Sequence, residues 1–146
     1  AQVAAYAESA GYYIEGTGTA WALMTEGAAY FGITGIEMSL DEDVMKTRLD
    51  QGHPIICAMR PGDFTAAGHF IMIYGYEKDG FLINDPNCIS RSRQVWDYDS
   101  LSSQIMDLWY FSKLSIGRYL TPVFAEKRTE IQVPRLRLPS QVQPDS

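Results

Sequence analysis

The chain has 146 residues, of which 46% are hydrophobic, and a formal net charge of −6, a composition typical of one globular domain. Residues 1–110 contain 6 Lys and Arg against 15 Asp and Glu, whereas residues 111–146 contain 6 against 3, and the acidic body argues against nucleic acid as a partner. We find no apolar run long enough to span a membrane and no charged, apolar leader of the kind that forms a signal peptide in these residues.

The chain contains two cysteines and two histidines, too few for a disulfide framework and without the spacing of a zinc site. We therefore expect no metal and no cofactor. Cys57 lies in a predicted buried strand, where a thiol behaves as a small apolar group. The residues before Cys88 indicate no helix N-terminus or cationic setting, so we do not expect Cys88 to be a nucleophile.

The N-terminal part of the chain predicts two helices. The first covers residues 3–9, and the second covers residues 20–31 with Thr19 as its N-cap. Residues 12–18 between them are rich in turn-forming residues and suit the wall of a binding groove. Trp21, in the first turn of the second helix, has two interpretations, a core anchor or a residue that lines a substrate pocket.

The middle of the chain predicts a strand, a helix and a second strand. The first strand covers residues 36–38, and the helix after it is capped by Ser39 or Asp41. The second strand, at residues 54–60, is expected to be buried. Residues 60–67 then form a loop, and we expect ligand contacts there because loops carry most binding residues.

Residues 68–87 predict a β-hairpin. The first strand is apolar or aromatic at nearly every position, which favours burial on both of its faces. Residues 78–80 supply the turn, and Pro86 ends the second strand because it cannot donate a ladder hydrogen bond. Two polar residues mark the ends of this hairpin, His69 at its start and Asp85 at its end.

The length of the hairpin loop decides whether His69 and Asp85 can meet. Side chains alternate between the faces of a strand, so the two share a face only when the loop has an odd number of residues. An odd loop centred on Lys78 places Asp85 opposite Ile71. Asp85 is then a diagonal neighbour of His69, with the two backbones roughly 7 Å apart. An even loop places the pair on opposite faces. We predict the odd loop and a contact between the imidazole and the carboxylate.

Such a pair has a well-defined chemistry. A carboxylate that accepts from one imidazole nitrogen fixes the tautomer and leaves the other nitrogen to exchange a proton with a nucleophile. Gly68, directly before His69, leaves room for a substrate backbone. His69 and Asp85 are therefore candidate catalytic residues, and Gly68 and Trp21 are candidate substrate-binding residues. The spacing alone favours the other interpretation, a core histidine and a turn-forming aspartate.

The residues after the hairpin predict a polar connection, a short strand and a short helix, at residues 89–93, 94–96 and 101–105. The helix is capped by Asp97 or Asp99. Residues 108–111 predict the closing strand of the sheet. Trp109 in this strand has two interpretations, packed core or a wall near the His69–Asp85 pair, and the pattern favours the core. The basic, Pro-containing residues 116–146 are typical of a C-terminal extension or linker, in which residues 129–133 have the pattern of an edge strand.

The segment GHFIMIYGYEKDGFLINDPN resembles the His-to-Asp segment of the bacteriocin-processing-like cysteine peptidases, a papain-like family related to the double-glycine leader peptidases. The likeness extends to GYYIEGTGTAWALM, DQGHPIICAM and DLWYFSK. It implies an α+β, papain-like fold in which N-terminal helices pack on an antiparallel, partly barrelled sheet, with a peptidase domain over residues 1–115. It also implies catalytic roles for His69 and Asp85, a peptide or protein substrate, and a bacterial protein at the cell surface or outside the cell.

The chain departs from the family pattern at the nucleophile. The family carries a Cys at the start of a helix, in a Cys-Gly-Pro-like context with a Gln a few residues earlier, and this segment precedes the region matched here. The chain begins with Ala1-Gln2-Val3, already in a predicted helix. We expect a cysteine peptidase whose Cys-His-Asp triad takes its His and Asp from this chain. The alternatives are a non-catalytic peptide-binding or structural module, and an acyltransferase that uses the same triad.

Overall fold

A computed structural model describes residues 2–113. They divide into two compact units, residues 2–34 together with Lys113, and Gly35–Ser112. Within residues 2–113, no helix is long and apolar enough to cross a membrane. The predicted extension over residues 116–146, with its predicted edge strand at residues 129–133, lies outside the described residues.

The N-terminal unit begins with helix α1 (Gln2–Ser9), which confirms the first predicted helix. A small antiparallel hairpin of strands β1 (Tyr13–Ile14) and β2 (Gly18–Thr19) follows. The second predicted helix starts later than expected, as a π-helical turn at Leu23–Gly27 that continues into α2 (Ala28–Tyr30).

Thr19 is not the N-cap of that helix, because it belongs to the small hairpin. It pairs with Tyr13, and the backbone N–H of Ala20 donates to the Tyr12 carbonyl at 2.6 Å. These bonds hold the backbone extended through the position where the helix was predicted to start. The expected cap was wrong because the hairpin bonds extend to Ala20, so the helical turn begins only at Leu23, with Ala22 at its N-cap position.

Aromatic rings pack together within the N-terminal unit. The Tyr6 and Tyr30 rings stack with centroids 4.1 Å apart, and Phe31 meets Tyr6 edge-on at 5.3 Å. The Tyr12 hydroxyl donates to Glu26 Oε2 at 2.9 Å. Burial, reinforced by this bond, raises the pKa of Tyr12 to about 12. The ring therefore carries a neutral hydroxyl donor at physiological pH.

The second unit contains helices and nearly all of one six-stranded sheet, of which only residues 33, 34 and 113 fall outside Gly35–Ser112. The strands of this sheet are β3 (Ile33–Glu37), β4 (Ile55–Met59), β5 (His69–Glu77), β6 (Gly80–Asn84), β7 (Val95–Trp96) and β8 (Ile105–Lys113). Their order is β3-β8-β4-β5-β6-β7, and the β4–β5, β4–β8, β5–β6 and β6–β7 pairs are antiparallel. The sheet is open, so among the described strands it does not close into a barrel. The predicted closing strand is β8, and it lies inside the sheet, next to β4.

Three helices connect strands of this sheet along the chain: α3 (Glu42–Asp50), α4 (Ile89–Ser92) and α5 (Tyr98–Ser102). Asp41 caps α3 by accepting from the Val44 N–H at 3.0 Å, and Asp97 caps α5 by accepting from the Ser100 N–H at 2.8 Å. Both caps are among the alternatives that the sequence predicts. The polar connection predicted at residues 89–93 was wrong, because α4 occupies most of it.

The core of this unit lies on one face of the sheet. It consists of Met45, Ile55, Cys57, Met59, Phe64, Ile71, Ile73, Phe81, Ile83, Leu101, Ile105 and Leu108. In β5, Ile71 and Ile73 are buried while Tyr74 is 53% exposed, so the predicted burial on both faces was wrong. An antiparallel sheet can leave one face to solvent, and β5 does so. Trp109 is also buried, as the core interpretation predicts, although it is not a member of this cluster.

Candidate active site

The hairpin of β5 and β6 turns through an even loop. Glu77 pairs with Gly80, which leaves Lys78 and Asp79 as a two-residue loop. The predicted odd loop was therefore wrong. Gly80 has φ +150°, and a Cβ at this position would contact the carbonyl oxygen of Trp96 in β7. Glycine fits here because β6 is flanked closely on this side by β7.

A β-bulge at Tyr74 corrects the parity that the even loop would otherwise give. Ile73 pairs with Ile83 and Gly75 pairs with Leu82, so Tyr74 is one extra residue on β5. Beyond the bulge, Met72 pairs with Asn84, which places Asp85 opposite Ile71. The predicted register at this end of the hairpin is therefore reached, although by an even loop and a bulge.

His69 and Asp85 meet across the hairpin. His69 Nε2 lies 2.8 Å from Asp85 Oδ1. The Asp85 side chain is fully buried, and that of His69 is 11% exposed. Asp85 directly follows β6 at the end of its buried face, where an unpaired carboxylate would be costly. The imidazole thus contacts the carboxylate from the start of β5, and its Nδ1 is the ring nitrogen that does not contact the carboxylate.

Both oxygens of the Asp85 carboxylate have hydrogen-bond partners. Oδ1 also accepts from the backbone N–H of Asn87 at 2.9 Å, and Oδ2 accepts from Arg91 Nε at 2.6 Å. Burial raises the pKa of Asp85, but hydrogen bonds from His69, Asn87 and Arg91 outweigh it, and the pKa lies below its usual value. The site therefore holds an ionised carboxylate beside the imidazole.

Three residues of this site were not predicted from the sequence: Asn87, Arg91 and Ser92. Ser92 Oγ accepts from the Asp85 N–H at 2.8 Å, and Asn87 Nδ2 lies 3.5 Å from His69 Nδ1. The available signal was an arginine a few residues after an aspartate in an apolar setting. That spacing places the two side chains together only once the chain turns and α4 forms, which the sequence did not indicate.

The loop before His69 is anchored on both sides. Arg91 Nη1 donates to the Asp63 carbonyl at 2.9 Å. Gln104 Oε1 accepts from the Asp63 N–H at 2.6 Å, and Gln104 Nε2 donates to Asp63 Oδ2 at 3.0 Å. The Thr65 hydroxyl donates to the Gly68 carbonyl at 3.1 Å. These bonds fix the backbone that leads into His69.

Gly68 and Trp21 occupy different surroundings. A Cβ added at Gly68 would meet no other atom within 4 Å, so the space beside its backbone is open. Trp21 lies in the N-terminal unit and is 43% exposed, so its interpretation as a core anchor was wrong. The binding roles predicted for both residues stay predictions.

The two cysteines differ in their burial and in the direction in which the pKa of the thiol is shifted. Cys57 is fully buried, and burial, with a contribution from Asp107, raises the pKa of its thiol far above the usual range. Cys88 is the N-cap of α4, with Sγ 3.1 Å from Ser90 Oγ. That contact and the backbone N–H of Arg91 lower the pKa of Cys88. The expectation that no helix N-terminus adjoins Cys88 was therefore wrong.

No group of three or more His, Cys, Asp or Glu side chains among residues 2–113 is arranged to hold a metal ion. Separately, the contact between the His69 imidazole and the Asp85 carboxylate can support acid–base chemistry of the imidazole.

Comparison with known proteins gives two findings. The Peptidase_C39 like family matches residues 1–113. The peptidase domain of Streptococcus ComA, a bi-functional ABC transporter involved in a quorum-sensing pathway, is similar in structure with a TM-score of 0.56 and 19% identity. That match covers 73% of this chain and 74% of the ComA domain, and it supports the papain-like α+β fold. Among curated proteins, none matches this chain.

Proposed function

Because the chain belongs to the Peptidase_C39 like family and is a cysteine peptidase-like domain, we propose that it supplies His69 and Asp85 to a Cys-His-Asp triad that hydrolyses peptide bonds. The observation that supports these roles is the 2.8 Å contact between His69 Nε2 and the fully buried carboxylate of Asp85. That contact fixes one ring nitrogen and leaves Nδ1 for proton transfer.

The reaction proceeds in two steps. A cysteine thiolate attacks the peptide carbonyl carbon and forms a C–S bond, while protonated His69 gives its Nδ1 proton to the leaving amine as the C–N bond breaks. Water then attacks the thioester, and His69 accepts a proton from it. The C–S bond then breaks, the acid product leaves, and the released thiolate is again paired with the protonated imidazole. Asp85 accepts the Nε2–H bond throughout and stabilises the imidazolium form.

The peptidase domain in this proposal covers residues 1–115, with residues 116–146 as a C-terminal extension or linker. The family match, which ends at residue 113, supports that boundary. Trp21, exposed in the N-terminal unit, and Gly68, beside the imidazole, are the proposed contacts for the substrate.

The test of this proposal is to locate the reactive thiol in the intact protein. Iodoacetamide at neutral pH, followed by peptide mapping, is expected to label a cysteine other than Cys57 and Cys88, and labelling is expected to abolish peptide hydrolysis. Cys88→Ser is expected to retain full activity. Loss of activity in Cys88→Ser would instead make Cys88 the nucleophile. If the intact protein has no reactive thiol and hydrolyses no peptide, the remaining interpretation is the non-catalytic peptide-binding or structural module.

Analysis of the reaction products separates hydrolysis from acyl transfer. The thioester can be resolved by water or by an amine, so the products formed with an added primary amine identify the acceptor. A free carboxylate at the new C-terminus is the expected product. Predominant amide formation would favour the acyltransferase.

Substitution at Gly68 tests the substrate path. Gly68→Val is expected to raise KM by roughly 10-fold or more, because a side chain would fill the open space beside the His69 backbone. The melting temperature should stay within a few degrees of wild type, since no atom outside Gly68 and its two chain neighbours lies within 4 Å of the new Cβ. Gly68→Ala, with less bulk, should show a smaller effect. Unchanged KM in Gly68→Val would remove this residue from the substrate site.

A further inference from the structure

Arg91 is the cation that faces the buried carboxylate from the side opposite His69. Its Nε donates to Asp85 Oδ2 at 2.6 Å, whereas His69 approaches Oδ1. The Arg91 side chain is one quarter exposed, while that of Asp85 is fully buried. A short, charge-assisted bond to a carboxylate without solvent contact is among the stronger polar contacts in proteins.

Arg91 also binds a second element. Its Nη1 donates to the carbonyl of Asp63, in the loop that leads into Gly68 and His69. The same residue, Asp63, is held from the other side by Gln104 through its N–H and its carboxylate. One guanidinium therefore connects α4, the carboxylate at the end of β6 and the loop before β5.

This arrangement fixes the orientation of the carboxylate. A carboxylate bonded through Oδ1 alone can rotate about its Cβ–Cγ bond and carry the imidazole with it. A bond to Oδ2 from a side chain that is itself held at Asp63 restricts that rotation. The positive charge of Arg91 also favours the ionised form of Asp85 when His69 is neutral.

We propose that Arg91 is a positioning residue, which holds the Asp85 carboxylate in the orientation that receives the Nε2–H of His69 and couples it to the loop around Asp63. The catalytic consequence rests on the proposed function, whereas the effect on the imidazole hydrogen bond does not. Among the described residues, the charged side chains that bond to the Asp85 carboxylate are His69 from β5 and Arg91 from α4. The titratable Cys88 donates its backbone N–H to the Asp85 carbonyl, and the Asp63 carboxylate is bonded to Gln104.

The first test observes the imidazole directly by NMR. In the intact protein labelled with ¹⁵N-histidine, a downfield proton coupled to Nε2 of His69 is expected, assigned by its absence in His69→Gln. Arg91→Met should broaden or remove this signal, because the carboxylate no longer holds one orientation. Arg93→Met is the matched control, since Arg93 is exposed in the same segment and the charge change is identical.

A merely structural ion pair would give a different result. Arg91→Met would then lower the melting temperature but leave the Nε2–H signal at its wild-type position, and that result would overturn the proposal. Arg91→Lys covers the case in which Arg91→Met does not fold, because it keeps the charge. A single ammonium cannot reproduce the Nε bond to Asp85 and the Nη1 bond to Asp63 together. The signal should therefore weaken in Arg91→Lys, and an unchanged signal would contradict positioning.

The second test is kinetic. Arg91→Lys is expected to reduce kcat for peptide hydrolysis by roughly 10- to 100-fold with KM within about twofold of wild type, because misorientation of the imidazole affects the chemical step. Wild-type kcat in Arg91→Lys would count against the proposal. Should the wild-type protein hydrolyse no peptide, the proposed function fails, and the NMR comparison still decides whether Arg91 positions the pair.

Discussion

His69→Ala is expected to reduce kcat for peptide hydrolysis by roughly 10³-fold, with little change in KM. The imidazole is the group proposed to hold the thiolate as an ion pair and to protonate the leaving amine, and the described residues place no other imidazole against Asp85. Removal of the ring leaves Asp85 bonded to Arg91 and to the Asn87 N–H. The fold should therefore survive, and the loss should appear in turnover.

His53→Ala is the matched control for this variant. His53 lies outside the helices and strands, between α3 and β4, and its ring packs against Tyr110 with centroids 5.6 Å apart. The same truncation there should leave kcat within about twofold of wild type. Measurements of kcat and KM together with melting temperatures for both variants check the prediction. Comparable losses in the two variants, or an active His69→Ala, would remove His69 from the chemistry.

Asp85→Asn is expected to lower both turnover and stability. An amide has one acceptor oxygen, whereas the carboxylate accepts from His69 and Asn87 at Oδ1 and from Arg91 at Oδ2. An amide nitrogen at the Oδ2 position faces the Arg91 donor. At the Oδ1 position it faces the Asn87 N–H and forces His69 into the other tautomer. Neither orientation satisfies all three donors.

The unsatisfied donors around the new amide set the expected losses of kcat and of the free energy of unfolding in the Asp85→Asn variant. Loss of the orienting carboxylate reaches about 10⁴-fold in kcat in serine-protease triads, and we expect about 10²-fold to 10³-fold here because a thiol needs less help from a base. The free energy of unfolding should fall by about 2–3 kcal/mol at neutral pH, since Arg91 loses its charge partner but retains some solvent contact. Urea denaturation and steady-state kinetics measure the two effects.

The pH dependence of stability gives this prediction a further check. The pKa of Asp85 is lower in the folded protein than its usual value of about 3.9. Its ionised form therefore stabilises the folded state above that value, and this contribution disappears as the pH falls through the folded pKa. The difference in unfolding free energy between wild type and Asp85→Asn should narrow as the pH falls below about 4.

Asp79→Asn controls for the loss of a carboxylate as such. Asp79 is exposed in the two-residue loop between β5 and β6. The substitution there should change neither kcat nor the acid limb of the stability curve. A difference between wild type and Asp85→Asn that stays constant with pH would contradict the assigned ionisation of Asp85.

Features that depend on a few consecutive residues were predictable from the sequence. The caps at Asp41 and Asp97 need only the next turn of their helices, and both formed. The strand pattern on either side of the hairpin turn identified β5 and β6, with His69 and Asp85 at their ends. The residue types at these two positions were therefore enough to name the candidate pair.

Features that depend on partners distant in the chain were decided by the tertiary structure. Only glycine fits at position 80, because a Cβ there would contact the carbonyl of Trp96 in a neighbouring strand. The bulge at Tyr74 offsets the even loop, so whether His69 and Asp85 share a face depends on strand pairing as well as on local sequence. Arg91 reaches Asp85 only because α4 forms after the hairpin. The sequence thus determined which groups were available for acid–base chemistry. Cross-strand pairing and the position of α4 decided that the side chains of His69, Asp85 and Arg91 meet. These contacts join segments that are distant in the chain, and no local sequence pattern determines how close such segments lie in space.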